Sequence, residues 1–399
     1  MFSKEQKYFL QIIADYLHGD KSEICENIDW SLILKFAKTH QLNGIMCNQC
    51  NSFLPMEEKN KLMNFSASEL VNYIKRKKMY TDVRDKFCSN GVEFFAVKGK
   101  VISEYYPIPQ NRTMGDCDLL IHTNDSKKCN QLMTELGFKE YETPDYERFY
   151  KLNGFTFEIH DHLLYDEIAN KKEEIDFCDT AWQFAKSIDG SSELVLDESF
   201  HFIFLLLHLK KHIIHKGAGF RQFIDIYTFA KNTDLNWDFI NTNLDKLNLL
   251  KFSQVCGALT LKWFSKNKSE KSIYGFDLPT VDDDFYENVT EKIFKNGIFG
   301  SDDSSNENNT ELQSLINKEN SGSFDKIISA FRCVFPRYNN VRFASKYSFV
   351  NNKPWLLPVV WVYRFILIIF GKAGKKSKST ITSESLSRRK EMLSKFGLI

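Results

Sequence analysis

The chain predicts an α+β protein, a mixed α/β fold in which flanking helices cover one small mixed sheet and helical regions stand at both ends. Three observations carry that expectation. A strand–turn–helix–strand unit fills residues 92–121, an Asn153-Gly154 hairpin follows it, and apolar residues at helical spacing occupy the chain on either side.

Taken in order, residues 1–90 read as helix. Segments 30–37 and 62–87 place apolar side chains one turn apart, among them Leu70, Tyr73, Ile74, Tyr80, Val83 and Phe87. Asn90-Gly91 supplies a stop. Residues 92–97 are apolar and aromatic enough for a buried strand. Lys98-Gly99 breaks it, and 101–106 have room for about two helical turns before Pro107 and Pro109 end them.

The next strand, 116–121, opens with Asp-Cys-Asp. Side chains alternate along a strand, so Asp116 and Asp118 share one face while Cys117, Leu119 and Ile121 take the other. Two carboxylates on one face repel each other unless a cation sits between them, and hard oxygen donors suit Mg²⁺. Asn124 or Asp125 is placed to cap a helix ending near Leu136, with Gly137 as its stop.

Residues 147–152 and 155–164 then flank Asn153-Gly154, a strong hairpin signal. On the second arm Phe155, Phe157 and Ile159 point one way, and Thr156, Glu158 and His160 the other. Beside the Asp strand, this arm would add a third carboxylate. Three converging acids can hold two divalent ions about 3.5–4 Å apart, an arrangement suited to in-line phosphoryl or nucleotidyl transfer. Asp161 is expected on the apolar side and His162 at the surface.

From Ser199 the chain is helical again, with 202–209 nearly all apolar and therefore buried on most sides. His208 and His212 stand one turn apart. The metalloprotease pattern needs Glu directly after the first His, and Leu209 stands there, so core-satisfied or substrate-facing histidines are expected. Arg221 and Asp225 have the spacing of an intrahelical ion pair, with a catalytic role as the rival reading. Residues 237–264 continue the helical region. Residues 301–311 contain no apolar side chain and read as part of a flexible loop near 300–322. Residues 355–370 are apolar and aromatic but carry Pro358 and Arg364. A core helix is expected there; the alternative is an interfacial helix whose Lys372, Lys375, Lys376 and Lys378 meet anionic lipid, giving peripheral membrane contact through 355–378.

Composition narrows the class. A length of 399 residues suggests two or three domains, divided here as 1–90, 91–190 and 191–399. A net charge of +1 gives no overall field for nucleic acid, and no sequence-specific nucleic-acid partner is expected. Nine cysteines without a framework suggest a reducing, cytoplasmic setting. Cys47 and Cys50 have redox or half-zinc spacing, but no second pair follows. Glu5, Gln11 and Asp15 interrupt any signal-peptide core.

Val97-Lys98-Gly99, Tyr106-Pro107, Arg112 and Gly115-Asp116-Cys117-Asp118-Leu119-Leu120-Ile121 together resemble the bacterial "uncharacterised nucleotidyltransferase" family, a branch of the DNA polymerase beta-like nucleotidyltransferase superfamily. Phe157-Glu158-Ile159-His160 is similar to its third-acid strand. The resemblance spans roughly residues 30–260. It implies a nucleotidyltransferase-type mixed sheet, two catalytic Mg²⁺ or Mn²⁺ ions on Asp116, Asp118 and Glu158, and an NTP substrate gripped by Lys98, Gly99, Lys100 and Arg112, with closure of the proline loop onto a carboxylate as the rival role for Arg112. His160, His208, His212, Arg221 and Asp225 fall on the acceptor side. One departure stands out: the superfamily usually has a second small residue where this chain has Lys100, so Lys98 or Lys100 is expected to take part in the phosphate grip. The activity expected is transfer of a nucleoside monophosphate to a hydroxyl of a small molecule, sugar or protein. The rival is a catalytically weak binding or scaffold protein, membrane-peripheral, in surface-polysaccharide or peptide-maturation pathways.

Overall fold

The computed structural model describes residues 2–142, 148–164, 172–215, 217–297, 335, 350, 353–369 and 383–399. The expected loop near 300–322, the lysines at 372–378 and the side chain of Arg364 lie outside the described residues.

Helices α1 (Lys4–His18), α2 (Trp30–His40), α3 (Asn43–Cys50) and α4 (Met56–Ser89) precede strand β1 (Phe94–Val97). Then come α5 (Gly99–Ile102), β2 (Cys117–Ile121), α6 (Ser126–Glu135), β3 (Lys139–Glu142), β4 (Arg148–Leu152) and β5 (Phe155–His160). Helix α7 (Lys172–Asp179), β6 (Ala185–Ser187) and β7 (Glu193–Leu196) complete the sheet region. A helical array follows: α8 (Glu198–His215), α9 (Phe220–Asn232), α10 (Trp237–Lys246), α11 (Leu250–Phe264) and α12 (Asp283–Asn296). Near the end stand α13 (Leu357–Ile369) and α14 (Ser383–Lys395). The fold is mixed α/β, with one mixed sheet among helices.

The sheet runs β3-β4-β5-β2-β1-β7-β6. The β2–β5 and β1–β7 pairs are parallel and the others antiparallel. Asn153 and Gly154 both take positive φ, 50° and 83°, as a two-residue hairpin turn with right-handed strand twist requires. Strands β3, β6 and β7 were not expected. They are three or four residues long, and Lys139, Glu140 and Glu142 in β3 hide any apolar alternation.

Other boundaries differ for local reasons. The helix expected over 101–106 starts at Gly99 and tightens into a 3₁₀ turn at Ser103–Tyr105 before Pro107. Asp125 precedes α6 without a side-chain cap bond, because a 3₁₀ turn at Thr123–Asp125 leads the chain in. The second hairpin arm stops at His160. Asn248, at φ 54°, divides the 237–264 stretch into α10 and α11.

Both sheet faces are covered. Phe94, Ala96, Cys117, Leu119, Ile121, Phe157 and Ile159 pack on Val83 and Phe87 of α4 and on Cys129, Leu132 and Met133 of α6. Opposite, Phe95, Val97 and Leu120 join a larger core that takes in α1 to α3 and α8 to α12. Phe9 of α1, Phe220 of α9 and Phe294 of α12 meet there. Burying one such ring contributes roughly 1.5–3 kcal/mol. Aromatic packing therefore holds the N-terminal helices on the helical array.

Cys47 and Cys50 are free thiols, and among the described residues no metal-capable group includes them. On α13 and the turn before it, Trp355, Val359, Val362 and Tyr363 are exposed and Val360 is buried. Half-buried Leu356 and Leu357 pack with Val360 against Val350. Among the described residues no helix is long and apolar enough to cross a membrane.

Candidate active site

The site begins where β1 ends. Lys98 takes φ 52°, ψ −125°, a conformation that costs an L-residue on the order of 1–3 kcal/mol. Its surroundings hold it there. Its N–H donates to His201 Nε2 at 3.0 Å, and its carbonyl accepts from the Ile102 N–H at 2.9 Å. Its ammonium donates to Asp118 Oδ1 at 2.6 Å. Burial pushes the His201 imidazole down to about 3, so it is neutral and can accept through Nε2.

Gly99 answers a different need. A Cβ there would lie 2.6 Å from Arg112 Nη1 and 3.2 Å from the Met114 sulfur, so glycine lets the guanidinium approach the backbone. Arg112 itself closes the proline loop onto α9. Its Nε and Nη2 donate to Asp225 Oδ1 and Oδ2 at 2.8 and 2.7 Å, and Tyr106 Oη donates to the same carboxylate at 2.7 Å. The intrahelical Arg221–Asp225 pair does not form. Arg221 instead bonds to Gln41 and donates to the Thr113 carbonyl at 2.9 Å, because Asp225 is already claimed by Arg112.

Parallel pairing of β2 with β5 places Asp118 opposite Glu158 and Leu120 opposite His160. All three polar side chains are buried on the face that turns toward α8. His160 Nε2 stands 3.1 Å from Asp118 Oδ1 and 3.3 Å from Glu158 Oε1. One ligand atom from each of Asp118, Glu158 and His160 lies within 4.8 Å of the others. His160 Nδ1 is buried with no hydrogen-bond partner, so the ring is aimed by packing and by the acids. Two carboxylates and an imidazole form a donor set that fits a divalent cation.

Asp116 lies just outside β2 at the exposed rim. Desolvation by the cleft walls and then the charge of Asp118 raise its pKa. Asp118 behaves oppositely. Burial disfavours its charge, but Lys98 and His160 together hold the carboxyl below the ordinary range. Lys98 pays the same desolvation, and Asp118, Glu158 and Asp116 still push its pKa up. Beside Asp116 opens a cavity of about 250 Å³, lined in part by Tyr73, Met79, Tyr80, Lys100 and Phe157. Lys100 turns into it, 4.9 Å above the Tyr80 ring, and is away from Asp118's face.

Among the remaining candidates, His208 lies near enough to Lys98 and His160 to feel their charge. His208 and His212 face each other on α8 with their Nε2 atoms 3.0 Å apart, and burial depresses the His208 pKa well below the usual value. Asp161 pairs with Arg148 at 3.2 Å, and exposed His162 pairs with Asp179 at 2.9 Å. Sequence reading missed His201, which lies 103 positions from Lys98 and carries no local signal. It left His160 either contacting the acceptor or orienting Glu158, and the ring stands 3.3 Å from Glu158. The i, i+2 spacing from Glu158 on a strand was the available sign that the ring joins the acids.

Fold and site together define a cation-capable centre of two carboxylates and an imidazole on the central strands of a mixed sheet. Residues 26–265 match the profile of the family described as "Uncharacterised nucleotidyltransferase", and the chain belongs to that family. No curated protein and no solved structure matches it. Family membership carries a general nucleotidyltransferase role and implies an NTP substrate.

Proposed function

We propose that the protein transfers a nucleoside monophosphate from an NTP to a hydroxyl on a small-molecule, sugar or protein acceptor, with a divalent cation held by Asp118, Glu158 and His160. The observation that carries this reading is the parallel register that sets Asp118 beside Glu158, with His160 touching both. A scaffold has no need to bury two carboxylates side by side.

In the reaction the acceptor oxygen attacks the α-phosphorus, its proton leaves, and the bond to pyrophosphate breaks. A cation bound at the centre would neutralise phosphate charge and lower the pKa of the acceptor hydroxyl. The chain's own groups do the rest. Asp118 is kept ionised by Lys98 and His160, ready as a ligand at neutral pH. Glu158 and Asp116 are the carboxylates in position to receive the acceptor proton. Asp116 faces the open rim, and the adjoining cavity offers room for whichever part of a substrate leads away from it. Arg112, bound on two edges by Asp225, sets the shape of the turn at Gly99 rather than reaching outward.

The test is incubation with each α-labelled NTP and Mg²⁺ or Mn²⁺, following label onto the protein or a lysate component. Wild type should transfer label, and Asp118→Asn should lose at least about 100-fold, the scale of a missing group at a charged reaction centre. Transfer at wild-type rate by Asp118→Asn with Glu158→Gln would overturn the proposal.

A further inference from the structure

We infer that the Lys98 ammonium takes the place of one of the two cations expected at such a centre, so that the site holds a single divalent ion. This rests on the nucleotidyl-transfer reading and replaces its two-ion form.

Geometry supplies the first argument. Lys98 Nζ is in direct contact with Asp118 Oδ1 at 2.6 Å, in a pocket where its side chain is only 17% exposed. The contact is not a chance reach of a long surface residue. The Lys98 backbone is fixed in an uncommon conformation by the bond to His201, and β1 pairs Val97 with Asp118 directly opposite. The side chain therefore starts one residue past its target and has a short way to go. An ion on the remaining oxygens of Asp118 and Glu158 and on His160 Nε2 would share the Asp118 carboxylate with Lys98. Two cations sharing one carboxylate stand at about the 3.5–4 Å spacing of a two-ion pair.

Ligand supply is the second argument. Among the described residues the buried donors that converge are three, from Asp118, Glu158 and His160, with all their ligand atoms within 4.8 Å, while Asp116 stays at the exposed rim. Three protein donors suit one ion completed by water or phosphate oxygens. A second ion would have to take the Asp118 oxygen that Lys98 already occupies.

Charge is the third. Three carboxylates, Asp116, Asp118 and Glu158, stand against one ammonium, which leaves a deficit of two positive charges. Before nucleotide binds, one divalent ion closes it, whereas two would overshoot by as much as the first corrected. Half-buried Arg221, whose partners are Gln41 and the Thr113 carbonyl, moves the total further from needing a second ion.

The experiment is an electron paramagnetic resonance titration of the full chain with Mn²⁺, alone and with an α,β-methylene NTP analogue. Wild type should bind one Mn²⁺ per chain in both conditions, with the spectrum of an isolated ion. Lys98→Arg should keep that stoichiometry. Lys98→Met, checked by circular dichroism for its fold, should bind a second Mn²⁺ with the analogue and show a spin-coupled pair. A coupled pair in wild type would overturn the inference while leaving nucleotidyl transfer intact. So would a single ion in folded Lys98→Met. Wild type that binds neither Mn²⁺ nor analogue would remove both readings, and the labelled-NTP assay would fail with them.

Discussion

Replacing Asp225 with Leu removes the carboxylate that anchors the turn behind the site, and its cost can be worked from the contacts. Arg112 and Asp225 are 7% and 9% exposed, and two charge-assisted bonds of 2.7 and 2.8 Å join them. With Asp225 gone, the guanidinium is buried unpaired and Tyr106 loses its acceptor. Removing one partner of a buried pair costs about 3–5 kcal/mol, most of it the penalty of the stranded charge. Arg112→Met strands the carboxylate instead and should cost a similar amount. The double variant strands neither charge, so it should cost no more than either single change, a coupling of about 3 kcal/mol. Equilibrium urea denaturation followed by circular dichroism measures all four proteins, provided the denaturant slopes agree. Additive single effects would refute the claim that the pair acts as one buried unit. The turn should respond too, because Arg112 Nη1 packs where a Gly99 Cβ would be.

Two further predictions follow from buried and exposed groups. His40 and His201 are buried, and each is held down to about 3 from an ordinary value near 6.5. The unfolded chain binds these protons first, so their contribution is fully present above about pH 6.5 and is lost as pH falls toward 3, by about 1.4 kcal/mol per unit per histidine. Urea midpoints between pH 7 and 5 should fall accordingly, and His201→Gln should flatten the slope; an unchanged slope would rule out His201. The exposed Trp355, Val359, Val362 and Tyr363, followed in sequence by lysines, should bring the full chain onto vesicles of anionic phospholipid at low salt. Binding should weaken as the screening length falls to about 8 Å at physiological ionic strength, and a chain that ignores such vesicles at every salt would end the membrane proposal.

Much of the sheet was legible because its central strands announce themselves. Apolar runs mark β1 and β2, and Asn153-Gly154 dictates the β4–β5 hairpin. Period-two alternation also put Asp118 on one face of its strand, and Glu158 with His160 on one face of theirs. Legibility stopped where partners are remote. Nothing near Lys98 points to His201, and nothing near Arg112 points to Asp225, 113 positions away. The i, i+4 spacing of Arg221 and Asp225 misled because a buried carboxylate goes to the donor that best satisfies it. Short polar strands such as β3 and β6 take their identity from the neighbours they pair with, which no local pattern reports.

The parallel join of β2 to β5 also fixes when this centre can come into being. Its ligands His160 and Asp118 are 42 positions apart, and a helix, an edge strand and a hairpin arm intervene. Parallel strands cannot meet through a tight turn, so the chain must span α6, β3 and β4 for the carboxylates to converge. A cation therefore has no preformed cradle in the emerging chain and cannot template the sheet around itself. Affinity for a cation would appear together with the finished sheet, so a bound ion would act as a lock on the native state rather than as a nucleus for reaching it.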